Sequence, residues 1–368
     1  MKILLVGEYS NVHWTLAEGL RALGHDVTVV SDGDSWKNYP RDIDLRRRSL
    51  RKADTLRYLC DIARIWPTLR GYDVVQLINP VFLDIKAEHL WPFYRYLRRH
   101  NGRMVLGALG IDYFWVRVGM DCRTFRYSDF NIGPQLRSYP FMDEMVATWL
   151  HGAKGELNRR IADDCDAIVT GLCEYDMCYR PFYPDKARHI PFPINRGAVT
   201  PVSTLDTPPP PLRCFIGIQR QRSAYKGTDI MLAALQQLKA DYPDAIDIVL
   251  TENVPYALYQ QRMNGSHVLL DQLYSYTPAM NGLLALAKGL ILVGGGEEEH
   301  YRLLGEQQLR PIINVQPTQQ DVYEQIRQRL LLCPQAVNQL QRDGIEYIRR
   351  HHDHIDIARQ YEALYSLI

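Results

Sequence analysis

The second half of this 368-residue chain opens with an apolar run, 214–218, and the cations Arg220, Arg222 and Lys226 then precede Gly227 and a helix starting near Thr228. Cations at a strand end, beside a helix N-terminus, can hold a diphosphate through charge-assisted bonds and oriented N–H groups. The run itself closes on Gly217-Ile218. The same residues also make a plain helix start, with Thr228 as N-cap and the basic loop solvated. In the first half, Gly7-Glu8-Tyr9-Ser10 leads into a helix that begins near His13. Glycine there lets backbone approach a ligand, so Gly7, Glu8, Tyr9 and His13 are candidate ligand contacts. Asp32-Gly33-Asp34 has the composition to hold Mg²⁺ or Mn²⁺ on a diphosphate, but Asp and Gly favour a simple turn, which is the expectation. His351, His352, Asp353, His354 and Asp356 are read as a solvated turn between helices, and no metal site is expected. The basic stretch 46–52 is either a solvated face or a dock for an anionic membrane surface. No G-x-G-x-x-G occurs, which gives a nicotinamide dehydrogenase little support.

Such loops need strands that end side by side. Residues 3–6 read as a fully apolar strand, followed by a helix over 13–23 on which Trp14, Ala17, Leu20 and Leu23 recur at helical spacing. Gly24 suits the C′ position, and 27–30 is a second strand. Apolar strands without alternation, separated by helices, indicate a parallel sheet covered on both faces. The pattern continues at 74–78, 104–108 and 167–169. Residues 113–149 interrupt it, rich in aromatics and arginine with little periodicity; such insertions after strand ends often shape a substrate site. Pro201 and Pro208 to Pro211 make a stiff linker over 200–212. A second alternation follows, with strands at 214–218, 246–250, 268–270, 290–293 and 312–315. Its helices start near Thr228, Pro255, Pro278, Glu298 and Gln319.

The expected fold is α/β, with two Rossmann-like doubly wound domains facing across a cleft. The first domain is 1–199 plus a tail helix, 355–368, amphipathic through Ile355, Ala358, Tyr361, Leu364 and Leu367. The second is 212–354. Forty-three basic against forty-two acidic residues leave a net charge of +1, which argues against nucleic acid as a partner. Seven scattered cysteines form neither a disulfide framework nor a zinc pattern. The apolar start is too short for a signal peptide and no stretch is long enough to span a membrane, so a cytoplasmic protein is expected.

The order strand, Gly217, Arg222, Lys226-Gly227, amphipathic helix resembles the phosphate loop of family 4 retaining glycosyltransferases, which have the GT-B fold. Asp271-Gln272-Leu273 and Ala285-Leu286-Ala287-Lys288-Gly289 are similar to that family's donor segment, and Gly295-Gly296 with Glu299 to its "G-G-x-P-E" turn. In the first half, Leu4 to Gly7 and the stretch 20–29 match in the same order, while 113–149 matches nothing. The chain departs from the family where two glutamates eight apart are usual: Tyr276 and Leu284 stand there instead. A shifted pair, Glu298 and Glu306, is discounted because Glu298 opens a helix, where acidic residues are common.

The resemblance implies transfer of a sugar from a UDP- or GDP-type nucleotide sugar to a glycan or lipid-linked acceptor, with retention and without a metal or cofactor. Arg222 and Lys226 would neutralise the leaving diphosphate. Tyr276, Thr277, Pro278, Ala279, Asn281 and Glu299 would lie along the donor, and Asp112, which follows the first half's fourth strand, would touch the sugar. Peripheral contact with the inner face of a membrane fits lipid-linked acceptors. The alternatives are a GT-B sugar-nucleotide epimerase or hydrolase, and a catalytically silent nucleotide-sugar-binding module.

Overall fold

In the computed structural model, which describes residues 1–201 and 211–368, the run Lys2–Val6 forms strand β1 with Ile3 to Val6 shut from solvent. Helix α1 (Val12–Ala22), β2 (Asp26–Ser31), β3 (Ile43–Asp44), α2 (Lys52–Ile65), β4 (Val74–Leu77), α3 (Leu90–His100) and β5 (Arg103–Ala108) follow. Then come α4 (Tyr113–Gly119), a small hairpin of β6 (Asn131–Ile132) and β7 (Gln135–Leu136), α5 (Met142–Leu150), α6 (Ala153–Asp164), β8 (Ala167–Thr170), α7 (Cys173–Tyr179) and β9 (Ala187–His189). The first sheet runs β3-β2-β1-β4-β5-β8-β9, parallel throughout. Its edge strands β3 and β9 are only two and three residues long, too short to show in an apolar pattern.

The second sheet contains β10 (Leu212–Ile218), β11 (Ile246–Glu252), β12 (Val268–Leu270), β13 (Ile291–Gly294) and β14 (Ile312–Asn314), in the order β11-β10-β12-β13-β14 and again all parallel. Between these strands lie α8 (Ser223–Lys226), α9 (Thr228–Asp241), α10 (Tyr256–Met263), α11 (Met280–Ala287) and α12 (Glu298–Leu304). Helices α13 (Gln319–Ile326), α14 (Gln335–His351) and α15 (His354–Leu367) complete the chain. Met231, Leu235, Leu238, Ile291, Val293, Val322 and Ile326 belong to one buried cluster that joins sheet and helices. Both sheets have the doubly wound, Rossmann-like order expected from the alternating pattern.

Packing divides the chain into two units. One comprises Met1–Val118, Pro140–Pro193 and His354–Ile368; the other comprises Gly119–Tyr139 and Ile194–Asp353. The stretch 119–139, placed by sequence in the first domain, therefore packs with the second unit. Helix α15 lies against α1, where Leu16, Ala17 and Leu20 meet Ile357, Ala358 and Tyr361 in one buried cluster. Gly19 allows this approach, because a Cβ there would run into the His354 carbonyl. The proline-rich linker falls largely outside the described residues.

Candidate functional site

The second sheet reverses its order at β10, which has β11 on one side and β12 on the other. Ligands of open α/β sheets bind in the crevice at the carboxyl ends of strands flanking such a switch point. Here the two flanking loops are tied together. The Leu273 N–H donates to the Lys226 carbonyl at 2.9 Å, and Gly227, at φ +72°, packs so closely on Leu273 and Tyr274 that a Cβ would come within 2.7 Å of Leu273 Cβ. Only glycine meets both demands comfortably. The N-cap of α9 is accordingly Gly227 and not Thr228, whose hydroxyl bonds Ser223 instead at 2.9 Å.

Lys226 is half-buried at the end of α8, and Arg222 is exposed with its guanidinium 5.3 Å from the Tyr225 ring centre. Arg220 points elsewhere, pairing with Glu252 at 2.8 Å. Gly217 lies inside β10, where its missing side chain makes room for the Tyr259 ring. On the other flank Tyr276, Thr277 and Pro278 are buried, Ala279 is the N-cap of α11, and Asn281 donates to Asp271 at 2.8 Å and to the Tyr259 hydroxyl at 3.0 Å. Asn281 is thus spent on holding the loop together.

The segment 119–139 straps across these same loops, a feature that sequence reasoning missed. Its Arg126 guanidinium pairs with Glu297 at 2.8 Å and with Glu299, and stands 4.8 Å over the Tyr276 ring. The Arg126 N–H donates to the Tyr276 hydroxyl at 2.8 Å, and the Tyr127 hydroxyl donates to Glu297. Arg137 lies 3.2 Å from the Tyr274 ring centre and donates to the Tyr225 carbonyl at 3.2 Å, while the Tyr225 hydroxyl donates to Asp129 at 2.6 Å. Burial would raise the Glu297 carboxyl, but Tyr127, Asn314, Gln316 and Arg126 together hold it below the usual range. Glu297 thereby brings a buried carboxylate beside Tyr276, to whose carbonyl its own N–H donates at 3.0 Å. The abundance of arginine and aromatics in 113–149 was the available signal.

In the first unit, two candidates prove to be internal. His13 is fully buried: its Nδ1 meets the Gly7 carbonyl at 2.8 Å, so it must donate there, and its Nε2 accepts from Gln76 at 3.2 Å. Gln76 in turn accepts from Tyr365 of the tail helix at 2.8 Å. Burial depresses the His13 ring to about 4, so the neutral tautomer locks the Gly7 turn and does not reach ligand. Asp112 is also fully buried; it accepts from the Trp115 N–H at 2.9 Å and the Tyr179 hydroxyl at 2.7 Å, and burial lifts its carboxyl to about 6. It anchors α4 and is closed to a sugar.

Gly7, at φ +85°, fits closely against Ile78. Glu8 is 2% exposed and accepts from the His13 and Trp14 N–H groups at 3.2 and 2.9 Å. Asp32 and Asp34 form the expected turn: Asp32 accepts from the Asp34 N–H at 2.9 Å, and Asp34 accepts from Ser10 N–H and Lys37 at 2.8 and 2.6 Å. The histidine-rich junction is not a solvated turn. His351 bonds Glu306 at 2.7 Å, and His352, buried, meets the Tyr347 hydroxyl at 3.3 Å. Glu298 pairs with Arg310, so Glu298 and Glu306 each serve separate structural bonds.

No family model matches the sequence, and no curated protein matches it. Many solved structures do. Sucrose-phosphate synthase of Thermosynechococcus elongatus superposes with a TM-score of 0.63 at 13% identity, covering 100% of this chain and 99% of that one. Anabaena Alr3699/HepE, solved in complex with UDP and glucose, gives 0.60 at 11% identity with both chains fully covered. WaaG, a glycosyltransferase involved in lipopolysaccharide biosynthesis, gives 0.57 at 10% identity and 99% coverage of each. The fold is that of the GT-B glycosyltransferases, with two Rossmann-like units.

Proposed function

We propose that this chain is a nucleotide-sugar-dependent glycosyltransferase in which the second unit binds a nucleoside diphosphate sugar and the first unit the acceptor. The observation that carries this reading is the switch point of the second sheet, where Arg222 and Lys226 share one bonded loop pair with Leu273, Tyr274 and Tyr276. Two cations at the strand ends, beside the N-terminus of α9, suit a diphosphate. Stabilising charge on the departing diphosphate lowers the barrier without calling on a metal. Glu297 supplies a carboxylate near the position where Tyr276 replaces the family's glutamate. The likeness to HepE, solved with UDP and glucose, supports a nucleotide-sugar donor; retention of configuration rests on the sequence resemblance alone.

Isothermal titration of Arg222→Ala and Lys226→Ala with UDP and GDP tests the donor site. Loss of one charge-assisted phosphate bond, about 1.5–3 kcal/mol, weakens binding about 10- to 150-fold. Unchanged affinity in both folded variants places the nucleotide elsewhere. A second reading, a silent nucleotide-sugar-binding module, is favoured by Tyr276 and Leu284 standing where carboxylates are usual; binding without turnover would identify it.

A further inference from the structure

The first unit contains a cavity of 860 Å³ lined entirely by its own residues, within the range of sites for ligands of drug or disaccharide size. It sits at that unit's own switch point. β1 has β2 on one side and β4 on the other, and the walls are the turn after β1, the end of β2 and the loop after β4. The basic stretch read from sequence as a solvated face or a membrane dock contributes to its wall: Arg46, Arg47 and Arg48 all line the cavity, Arg47 half-buried and the other two exposed.

Two observations show that these arginines are not used up by the fold. The Arg47 side chain is largely buried, bonding Thr55 at 2.7 Å and lying 3.9 Å from Asp84, yet its Nε is buried with no hydrogen-bond partner among the described residues. A buried donor left unmet costs about 1–3 kcal/mol, so a partner is expected. Arg48 has neither a hydrogen bond nor an ion pair among the described residues. Arg46 is tied to Asn38 at 3.1 Å and faces the Asp44 charge, and against Arg47 and Arg48 stand Asp32, held in its turn, and Asp84, at the rim by Arg47. Glu8 adds little charge, because burial keeps its carboxyl protonated up to about pH 8. Trp36, more than half exposed, and the buried Tyr58 provide ring faces.

We propose that this cavity holds the acceptor through an anionic group, a phosphate ester or a sugar carboxylate, with the guanidinium groups of Arg47 and Arg48 as its donors. This rests on the reading of the first unit as the acceptor side. Guanidinium groups match either oxyanion in geometry, and the aromatic walls suit a sugar ring or short apolar aglycone.

The test titrates three probes, glucose 1-phosphate, glucuronate and uncharged glucose, into the wild-type chain and into Arg47→Gln, Arg48→Ala and Lys226→Ala. At least one charged probe binds ten-fold or more tightly than glucose; phosphate preferred over carboxylate points to a phosphorylated acceptor, the reverse to an acidic glycan. Arg47→Gln and Arg48→Ala each weaken that probe about 10-fold or more, whereas Lys226→Ala leaves it unchanged. Arg48→Ala serves should Arg47→Gln fail to fold. Equal binding of charged and uncharged probes overturns the inference, as does no binding of any probe at millimolar concentration. It is also overturned if the arginine variants lose only sedimentation with phosphatidylglycerol vesicles, which would make the stretch a membrane dock. UDP binding that is lost in Lys226→Ala stands or falls separately, so failure here leaves the donor assignment intact.

Discussion

Glu8 gives the most exacting test of the local physics at the first switch point. Burial raises its carboxyl from 4.5 to about 8, with the Asp34 charge adding to the rise and the Trp14, His13 and Val12 N–H groups opposing it. The folded chain therefore keeps a proton on Glu8 that the unfolded chain has released above 4.5. A raised acid contributes stability that is present below 4.5 and lost as pH climbs through 8. His13, depressed to about 4, has the opposite slope, since its neutral form is favoured on folding and stability falls as pH drops from 6.5 towards 4. The two slopes nearly cancel between 4.5 and 6.5. From pH 6.5 to 8 Glu8 acts alone, and at about 1.4 kcal/mol per pH unit the first unit loses about 2 kcal/mol. For a unit of this size that lowers the melting temperature by about 4–8 °C. Thermal unfolding of wild type and Glu8→Gln at pH 6.5 and 8 reads the difference directly. The wild-type transition should fall over this range while that of Glu8→Gln stays level. Parallel behaviour of the two proteins would refute the argument and leave Glu8 an ordinary ionised helix cap.

Three further predictions follow the buried bonds. Tyr365→Phe strips the donor from Gln76 in the interior, so chemical denaturation should show a loss of about 1–3 kcal/mol, and a loss below about 0.5 kcal/mol would mean the Tyr365–Gln76–His13 chain is not coupled. Gly19→Val should cost about 1–3 kcal/mol by forcing a side chain into the His354 carbonyl; unchanged stability would show that α15 does not sit on α1. Arg126→Ala leaves Glu297 and Glu299 without their shared cation. Because that guanidinium is half-exposed, the effect is held to about 1 kcal/mol, enough to speed proteolysis within 119–139 about five-fold. Equal cleavage rates would deny Arg126 a part in fastening the strap.

What the sequence made legible was the part governed by short-range rules. Unalternating apolar runs such as 3–6 and 268–270 are buried on both faces of a parallel sheet, and their periodicity says so directly. The helix start at Thr228 was legible within one residue, although its cap is the left-handed Gly227, whose conformation depends on Leu273 and Tyr274 far along the chain. His13, at a helix start, and Asp112, after a strand end, are candidate contacts by sequence, yet burial against Gln76 and Tyr179 is a tertiary fact with no local signature. The strap shows the limit most plainly. Residues 119–139 lack periodicity, their two strands are two residues each, and their partners Tyr225, Tyr274 and Glu297 lie about 90 to 170 positions away. The basic run 46–52 was visible as charge, whereas the place of its Arg46, Arg47 and Arg48 in a cavity wall beside the β1, β2 and β4 loops was not.

The central claim is acceptor-dependent use of a nucleotide sugar by loops meeting at the second switch point. It is tested most directly by incubating the chain with UDP- and GDP-sugars, with and without a panel of hexose phosphates, uronates and glycolipid extract, and measuring free UDP and GDP. The account predicts release that requires one of these acceptors and that falls about ten-fold or more in Lys226→Ala. Equal release with and without acceptor, or tight donor binding with no release under any of these conditions, would contradict it.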